Sequence, residues 1–347
     1  MLPPEIQRVV LLIGMAATAY LLILAWNDDM AAAKVPTVYS EAPLMAQEEP
    51  FTTPAALKVD EFAPGDTDIP APTETDTFVS SQPVDISSRL VKVETPALLV
   101  WIDLKGGDIV RVQLPTYPVT LEEPDTPFLL MDQSATRTYI AQSALIGADG
   151  IDRSGERPLY SASSSNVRLN DGGEIALQTT ADGAKVTKTF VFEADSHLID
   201  VRYDVTNLDQ QPKTMRMLSQ IKRDRLPPST DETVPLAPSP YLGGALTTEE
   251  NNYEKIDFDD IDEGSFEATT TGGWVAFLQH YFLTAWVAPE NQTTSYHARK
   301  TSDGYYLFGF TGQNQTISSG EKGTWTARFY AGPKDQVVLE NISPHLN

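Results

Sequence analysis

Four histidines, His197, His280, His297 and His345, are the side chains of this sequence whose ordinary pKa suits proton transfer near neutrality. His280 has the most suggestive setting. It lies in "GGWVAFLQHYFLTAWVAP", Gly272 to Pro289, among Trp274, Phe277, Tyr281, Phe282 and Trp286. In an aromatic cleft it would be placed as a general base, which needs a partner within hydrogen-bond reach. The sequence offers none: there is no H-x-x-H pair and no histidine–carboxylate grouping, so signals for a metal site and for an activated nucleophile are both missing. Gly-rich phosphate loops and G-x-S-x-G elbows are absent as well. The paired acids Glu249-Glu250 and Asp259-Asp260 fall in "TTEENNYEKIDFDDIDEG", which reads as a solvated acidic loop and not as a catalytic dyad. Cysteine is absent, which removes disulfides, thiol catalysis and thiolate metal sites while leaving the compartment open. The residues alone therefore nominate no catalytic group, no metal ligand and no cofactor.

What, then, is the aromatic run for? Trp274 to Ala288 is 15 residues with Gln279 and His280 at its middle, too short and too polar for a second membrane span. Split as "WVAFLQ" and "YFLTAWVAP", it reads as two strands covered on both faces, with five aromatics anchoring a core. Core packing is the favoured reading over a ligand cleft.

The N-terminal part differs in kind. Val9 to Trp26 is an apolar run of 18 residues without charge, extending roughly 27 Å as a helix against a bilayer core of about 30 Å. Arg8 before it and Asp28-Asp29 after it put residues 1–8 in the cytoplasm and the rest of the chain outside. A cleaved signal peptide ending near Ala31-Ala32-Ala33 is the alternative, but the run is longer than an ordinary signal h-region. Residues 27–85 then collect prolines and acids without apolar period, as expected of an extended tether. The net charge of -23 argues against nucleic acid, and also against adhesion to an anionic bilayer. Membrane attachment must come from the lipid-embedded residues 9–26.

From residue 86 to 347 the texture is that of an all-β domain. "RLVKVET", "ALLVWIDL" and "DIVRVQLP" are rich in Val, Leu and Ile, and Lys105-Gly106-Gly107 between the last two signals a turn. "NVRLN", "EIALQTT", "AKVTKTFVFEA", "LIDVRYDVTNL", "TMRMLSQIKRD", "YYLFGFTG" and "GTWTARFYAG" follow as further strands. In "AKVTKTFVFEA", Lys185, Thr187 and Thr189 are expected outward and Val186, Phe190 and Phe192 inward. Pro333 is placed as the first residue of a short helix running to Ile342. Many strands without intervening helices mean a large antiparallel two-sheet sandwich or barrel.

Several motifs, in this order, carry a resemblance: "AWND", "IDLKGGDIVRVQLPTYP", "PFLLMDQS", "YIAQSALIGADG", "RPLY", "GGWVAFLQHYFLTAWV" and "ISPHLN". The chain resembles the first transmembrane segment plus the large periplasmic domain of the YidC family of bacterial membrane protein insertases. The resemblance implies a β-supersandwich of galactose-mutarotase-like fold with a short C-terminal helix. It implies work by protein contacts and not as an enzyme. The partners implied are the Sec translocase, including SecD and SecF, and nascent membrane proteins, at the inner membrane of a Gram-negative bacterium. In the family an amphipathic helix and five more spans follow "ISPHL" and carry the substrate groove, so none of the groove's residues is carried over. His280 stands where the family motif commonly has glutamine. A surface of interest is expected at the membrane-proximal end, around Pro333, Asp335, Val338 and Ile342. The competing readings are a membrane-anchored carbohydrate-binding or mutarotase-like protein, and a passive tethered scaffold.

Overall fold

The computed structural model describes residues 89–120, 122–152, 157–227, 241–248 and 250–347. The expected span over 9–26 and tether over 27–85 lie outside the described residues.

The first strands are β1 (Leu90–Glu94), β2 (Leu99–Asp103), β3 (Asp108–Pro118), β4 (Pro127–Met131), β5 (Tyr139–Ile146), β6 (Ser161–Ala162) and β7 (Asn166–Arg168). There follow β8 (Gly173–Ala181), β9 (Ala184–Phe192), β10 (Leu198–Asn207), β11 (Lys213–Arg223), β12 (Gly243–Leu246) and β13 (Glu254–Ile256). A short helix α1 (Phe258–Glu263) precedes β14 (Phe266–Thr271), β15 (Trp274–Leu278), β16 (Phe282–Val287) and β17 (Thr293–Lys300). Last come β18 (Tyr306–Thr311), β19 (Gln315–Ile317), β20 (Lys322–Pro333) and helix α2 (Gln336–Ile342).

These form two sheets. One has 11 strands, in the order β14-β17-β18-β11-β5-β3-β2-β1-β7, with β19 beside β11 and β4 beside β3. The other has nine, in the order β13-β12-β15-β16-β20-β10-β9-β8-β6. Among the described strands every pairing is antiparallel except that of β1 with β7. The expected all-β supersandwich is what the chain builds.

Alternation explains why the sheets face each other. On β10, Ile199, Val201, Tyr203 and Val205 are buried, while Asp200, Arg202 and Asp204 point away. The inward rows of both sheets merge into one core that includes Val112, Met217, Phe308, Phe190, Phe277 and Trp286. Hydrogen bonds tie the sheets across it: Trp286 Nε1–H donates to Gln220 O (3.0 Å), and the Tyr139 and Thr284 hydroxyls meet at 2.7 Å.

Every residue of β15 and β16 is buried, as the sequence implied, because both faces are covered. Val275, Phe277 and Trp286 enter the inter-sheet core. Trp274, Ala276, Leu278, Leu283, Ala285 and Val287 face the other way and pack with Leu339, Ile342 and Leu346 from α2 and its tail. One aromatic of the run departs from expectation: Tyr281, at the hairpin tip, is 67% exposed.

Three other expectations need correction. The acidic stretch is not all loop, because Asp257 and Asp260 form a capping box for α1, and Phe258 and Ile261 bury its inner side. Pro333 does not begin the last helix but ends β20, opposite Phe282; the helix starts at Gln336, capped by Asp335, which accepts from the Val337 and Val338 amides. On β9 the inward row includes Lys188, and outward Thr189 is covered.

Gly244 of β12 lies flat against the ring of Phe308 from the opposite sheet, and a Cβ there would collide with that ring. Gly244→Ala should cost about 1–3 kcal/mol of stability by overpacking, lowering Tm by roughly 2–4 °C for each of these kcal/mol. Gly264→Ala, where a Cβ meets nothing within 4 Å, should leave Tm in place. Thermal unfolding followed by circular dichroism reads both; equal Tm values for the two variants would remove Gly244 from the packing argument.

Candidate functional site

The C-terminal end of the domain is assembled from three pieces: the β15–β16 hairpin tip, the end of β20, and α2 with its tail. Lys334 N–H donates to Tyr281 O (2.9 Å), joining the helix entrance to the hairpin tip. Trp274 Nε1–H donates to Pro344 O (3.1 Å) and Arg328 Nη2 to Ile342 O (2.8 Å), latching the other end. Of the residues singled out in sequence, Ile342 is buried beneath the helix and Pro333 is half-buried at the strand end. Asp335 is exposed as the N-cap, and Val338 is 43% exposed. Val337, not singled out, is 70% exposed on the same turn, and His280 stacks on Tyr281 with ring centroids 4.0 Å apart. The result is three exposed apolar side chains, Tyr281, Val337 and Val338, carried by the pieces of this latched end.

A second assembly lies between the sheets. Lys188 on β9, wholly buried, donates through Nζ to Gly107 O (2.7 Å), Gly106 O (3.1 Å) and Ser143 O (3.4 Å). The turn at Gly106-Gly107 has positive φ, +80° and +64°, and a Cβ on Gly107 would press on the lysine at 2.9 Å, so glycine is required there. Arg157 donates to Asp108 Oδ1 (2.5 Å) and lies 3.3 Å from Asp152 Oδ1. Burial opposes the Arg157 charge, but Asp108 and Asp152 raise its pKa above the ordinary value. Burial pushes Asp152 upward, with Arg157 pulling it back, and brings Lys188 from 10.5 to about 7 against the attraction of Asp108. Buried Tyr160 and Tyr203 are pushed well up and stay neutral.

From this group a polar row crosses the larger sheet. Gln142 Nε2 donates to Asp108 Oδ2 (3.0 Å), Gln220 Nε2 to Gln142 Oε1 (3.1 Å), and Gln220 Oε1 meets His297 Nε2 at 3.3 Å. A carboxylate accepts and cannot donate, so every link points toward Asp108 and His297 carries its proton on Nε2. Burial and nearby Arg299 hold the His297 ring neutral, far below its usual pKa. Glu267 stands opposite His297 in the strand register, but the ring's hydrogen bond goes to the glutamine. His197 is tilted against Tyr117 and Tyr330, and burial lowers its pKa. None of the three histidines weighed as a mutarotase-type acid–base group forms an ion pair with a carboxylate among the described residues.

The model of the YidC periplasmic domain family matches residues 90–347, the whole sandwich and its C-terminal latch. The chain belongs to the YidC family. Proteins named membrane protein insertase YidC are 37% identical to it in Stutzerimonas stutzeri, Pseudomonas fluorescens and Azotobacter vinelandii, over 99% of this chain and 61% of each relative. The chain thus spans about 61% of the length of these curated relatives. Among solved structures it is similar to a galactose mutarotase-like protein from Lactobacillus casei (9% identity, TM-score 0.48, 70% of this chain and 99% of that one). It is also similar to a galactose mutarotase related enzyme from Lactobacillus acidophilus (10% identity, TM-score 0.46, 70% and 97%). The Lys188–Arg157 assembly was missed in sequence, although simple alternation places Lys188 on the same side as Val186 and Phe190.

Lys188 generates a pH prediction. Its folded pKa lies below its unfolded one, so between about 7 and 10.5 the unfolded chain holds a proton that the folded chain has released. Stability should therefore rise with pH across that window, and Lys188→Met should flatten this rise. Urea unfolding at a series of pH values measures the slope; equal slopes for wild type and variant would show that Lys188 does not titrate there.

Proposed function

We propose that the chain is the N-terminal anchor and periplasmic domain of a membrane protein insertase, aiding insertion, folding and assembly of inner-membrane proteins, alone or with the Sec translocase. Residues 9–26 hold it in the inner membrane with the N-terminus in the cytoplasm, residues 27–85 act as a tether, and residues 86–347 form the working domain in the periplasm. The observation that carries this reading is the family match over residues 90–347, together with the insertase relatives at 37% identity.

Within this reading the domain acts by contact. The latched C-terminal end supplies a rigid base on which Tyr281, Val337 and Val338 stay exposed (67%, 70% and 43%). Valine and tyrosine side chains on a latched backbone suit transient binding to another apolar surface, because few rotatable bonds have to be ordered. We assign this end to contacts with SecD, SecF or nascent membrane proteins, and Pro333, Asp335 and Ile342 to holding it in shape.

A photo-crosslinking side chain in place of Val337 or Val338, in cells carrying the chain in the inner membrane, tests the assignment. Adducts with SecD, SecF or nascent membrane proteins are expected from both positions and not from Gln211 in the β10–β11 turn. Adducts from Gln211 alone would move the contact surface elsewhere.

A further inference from the structure

Beside the strand order of the larger sheet lie the short strands β4, on β3, and β19, on β11; along the order itself the two sheets have four end strands, of which three are very short. These are β6 (Ser161–Ala162), β7 (Asn166–Arg168) and β13 (Glu254–Ile256). Short edge strands are a common protection against unwanted pairing. The fourth edge, β14 (Phe266–Thr271), is six residues long and pairs with β17 along its whole length. Among the described residues no strand pairs with its other side.

The phase of the hydrogen bonding is fixed. Gly272 N–H donates to Gln292 O (2.9 Å), the next rung beyond Thr271 and Thr293. In an antiparallel ladder residues bond alternately to either side. Hence Phe266, Ala268 and Thr270 bond inward to β17, while Glu267, Thr269 and Thr271 direct N–H and C=O outward. The strand's sequence, FEATTT, has no proline and no lysine to blunt this edge.

We propose that the outer edge of β14 is a docking site for an extended polypeptide segment of alternating apolar and basic residues, which adds to the sheet as a further strand. The backbone row supplies pairing, and the two faces supply preference. On the inner face Phe266 is half-buried against the main core and Ala268 is half-buried beside it, so an incoming apolar side chain extends the covered surface. On the outer face Glu267 is exposed, with exposed Asp260 and Glu263 of α1 just before the strand, so a lysine or arginine is favoured there. The net charge of -23 opposes a second copy of the chain at the same edge. The inference stands independently of the insertase reading.

The test uses the whole chain in detergent and a labelled octapeptide alternating valine and lysine, followed by fluorescence anisotropy. Saturable binding is expected. Thr269→Pro should weaken it by at least about tenfold without shifting Tm, because the amide it removes makes no bond to β17. Glu267→Lys should turn the preference toward a valine–glutamate octapeptide. An octapeptide N-methylated at alternate residues should not bind. The inference is overturned if the valine–lysine peptide does not bind, or if the proline variant or the N-methylated peptide binds as well as its parent. It is also overturned if the chain sediments as a dimer that Thr269→Pro dissolves, since a second copy then occupies the edge.

Discussion

The central pair of the smaller sheet has no side that water can wet. Trp274 to Leu278 and Phe282 to Val287 are buried throughout, so both faces of β15 and β16 must be covered. The opposite sheet covers one. The other would leave Trp274, Leu278 and Leu283 exposed, and a large aromatic side chain alone buries about 150–250 Å². The chain meets this demand with its last elements: α2 and its tail lay Leu339, Ile342 and Leu346 over the pair. The position of the helix, the fixing of the Tyr281 turn and the exposure of Val337 and Val338 all follow from that cover.

The charges between the sheets obey a related constraint. A buried ion is tolerated only with partners, and the Arg157 guanidinium is set against two carboxylates, with Lys188 a second cation only below pH about 7. Lys188 has no carboxylate in hydrogen-bond contact and relies on three carbonyl oxygens, two of them from the Gly106-Gly107 turn. That turn belongs to one sheet and the lysine to the other, so the contact sets how the sheets are aligned as well as holding them together.

Much of the architecture was legible because it rests on local pattern. Strand positions came from alternation and turn residues, and the double burial of β15 and β16 from their continuous apolar texture. The errors have physical causes. Pro333 satisfies the rule for a helix start, but Asp335, two residues on, makes the better cap, and the proline instead stays in register opposite Phe282. The acidic loop hides a helix because one turn needs only Phe258 and Ile261 on its inner side, too few to stand out as a period. Lys188 was left out of the inward row because an ammonium among phenylalanines looks misplaced until its carbonyl partners, some 80 residues away in sequence (|i−j| = 82 and 81), are known. The row from Asp108 to His297 draws on four strands, and no spacing within one segment could announce it.

The order of the strands has a further consequence. β20, Lys322–Pro333, is the last of the described strands, yet it sits in the middle of its sheet, paired with β10 on one side and β16 on the other. A chain that emerges N-terminus first therefore cannot close the smaller sheet until residues 322–333 have emerged. Until then β6 with β8, β9 and β10, and β12 with β13, β15 and β16, are two half-sheets, each with an unpaired border at the place where β20 will lie. Completion is set by delivery of the last strand, and the C-terminal latch can form only after it.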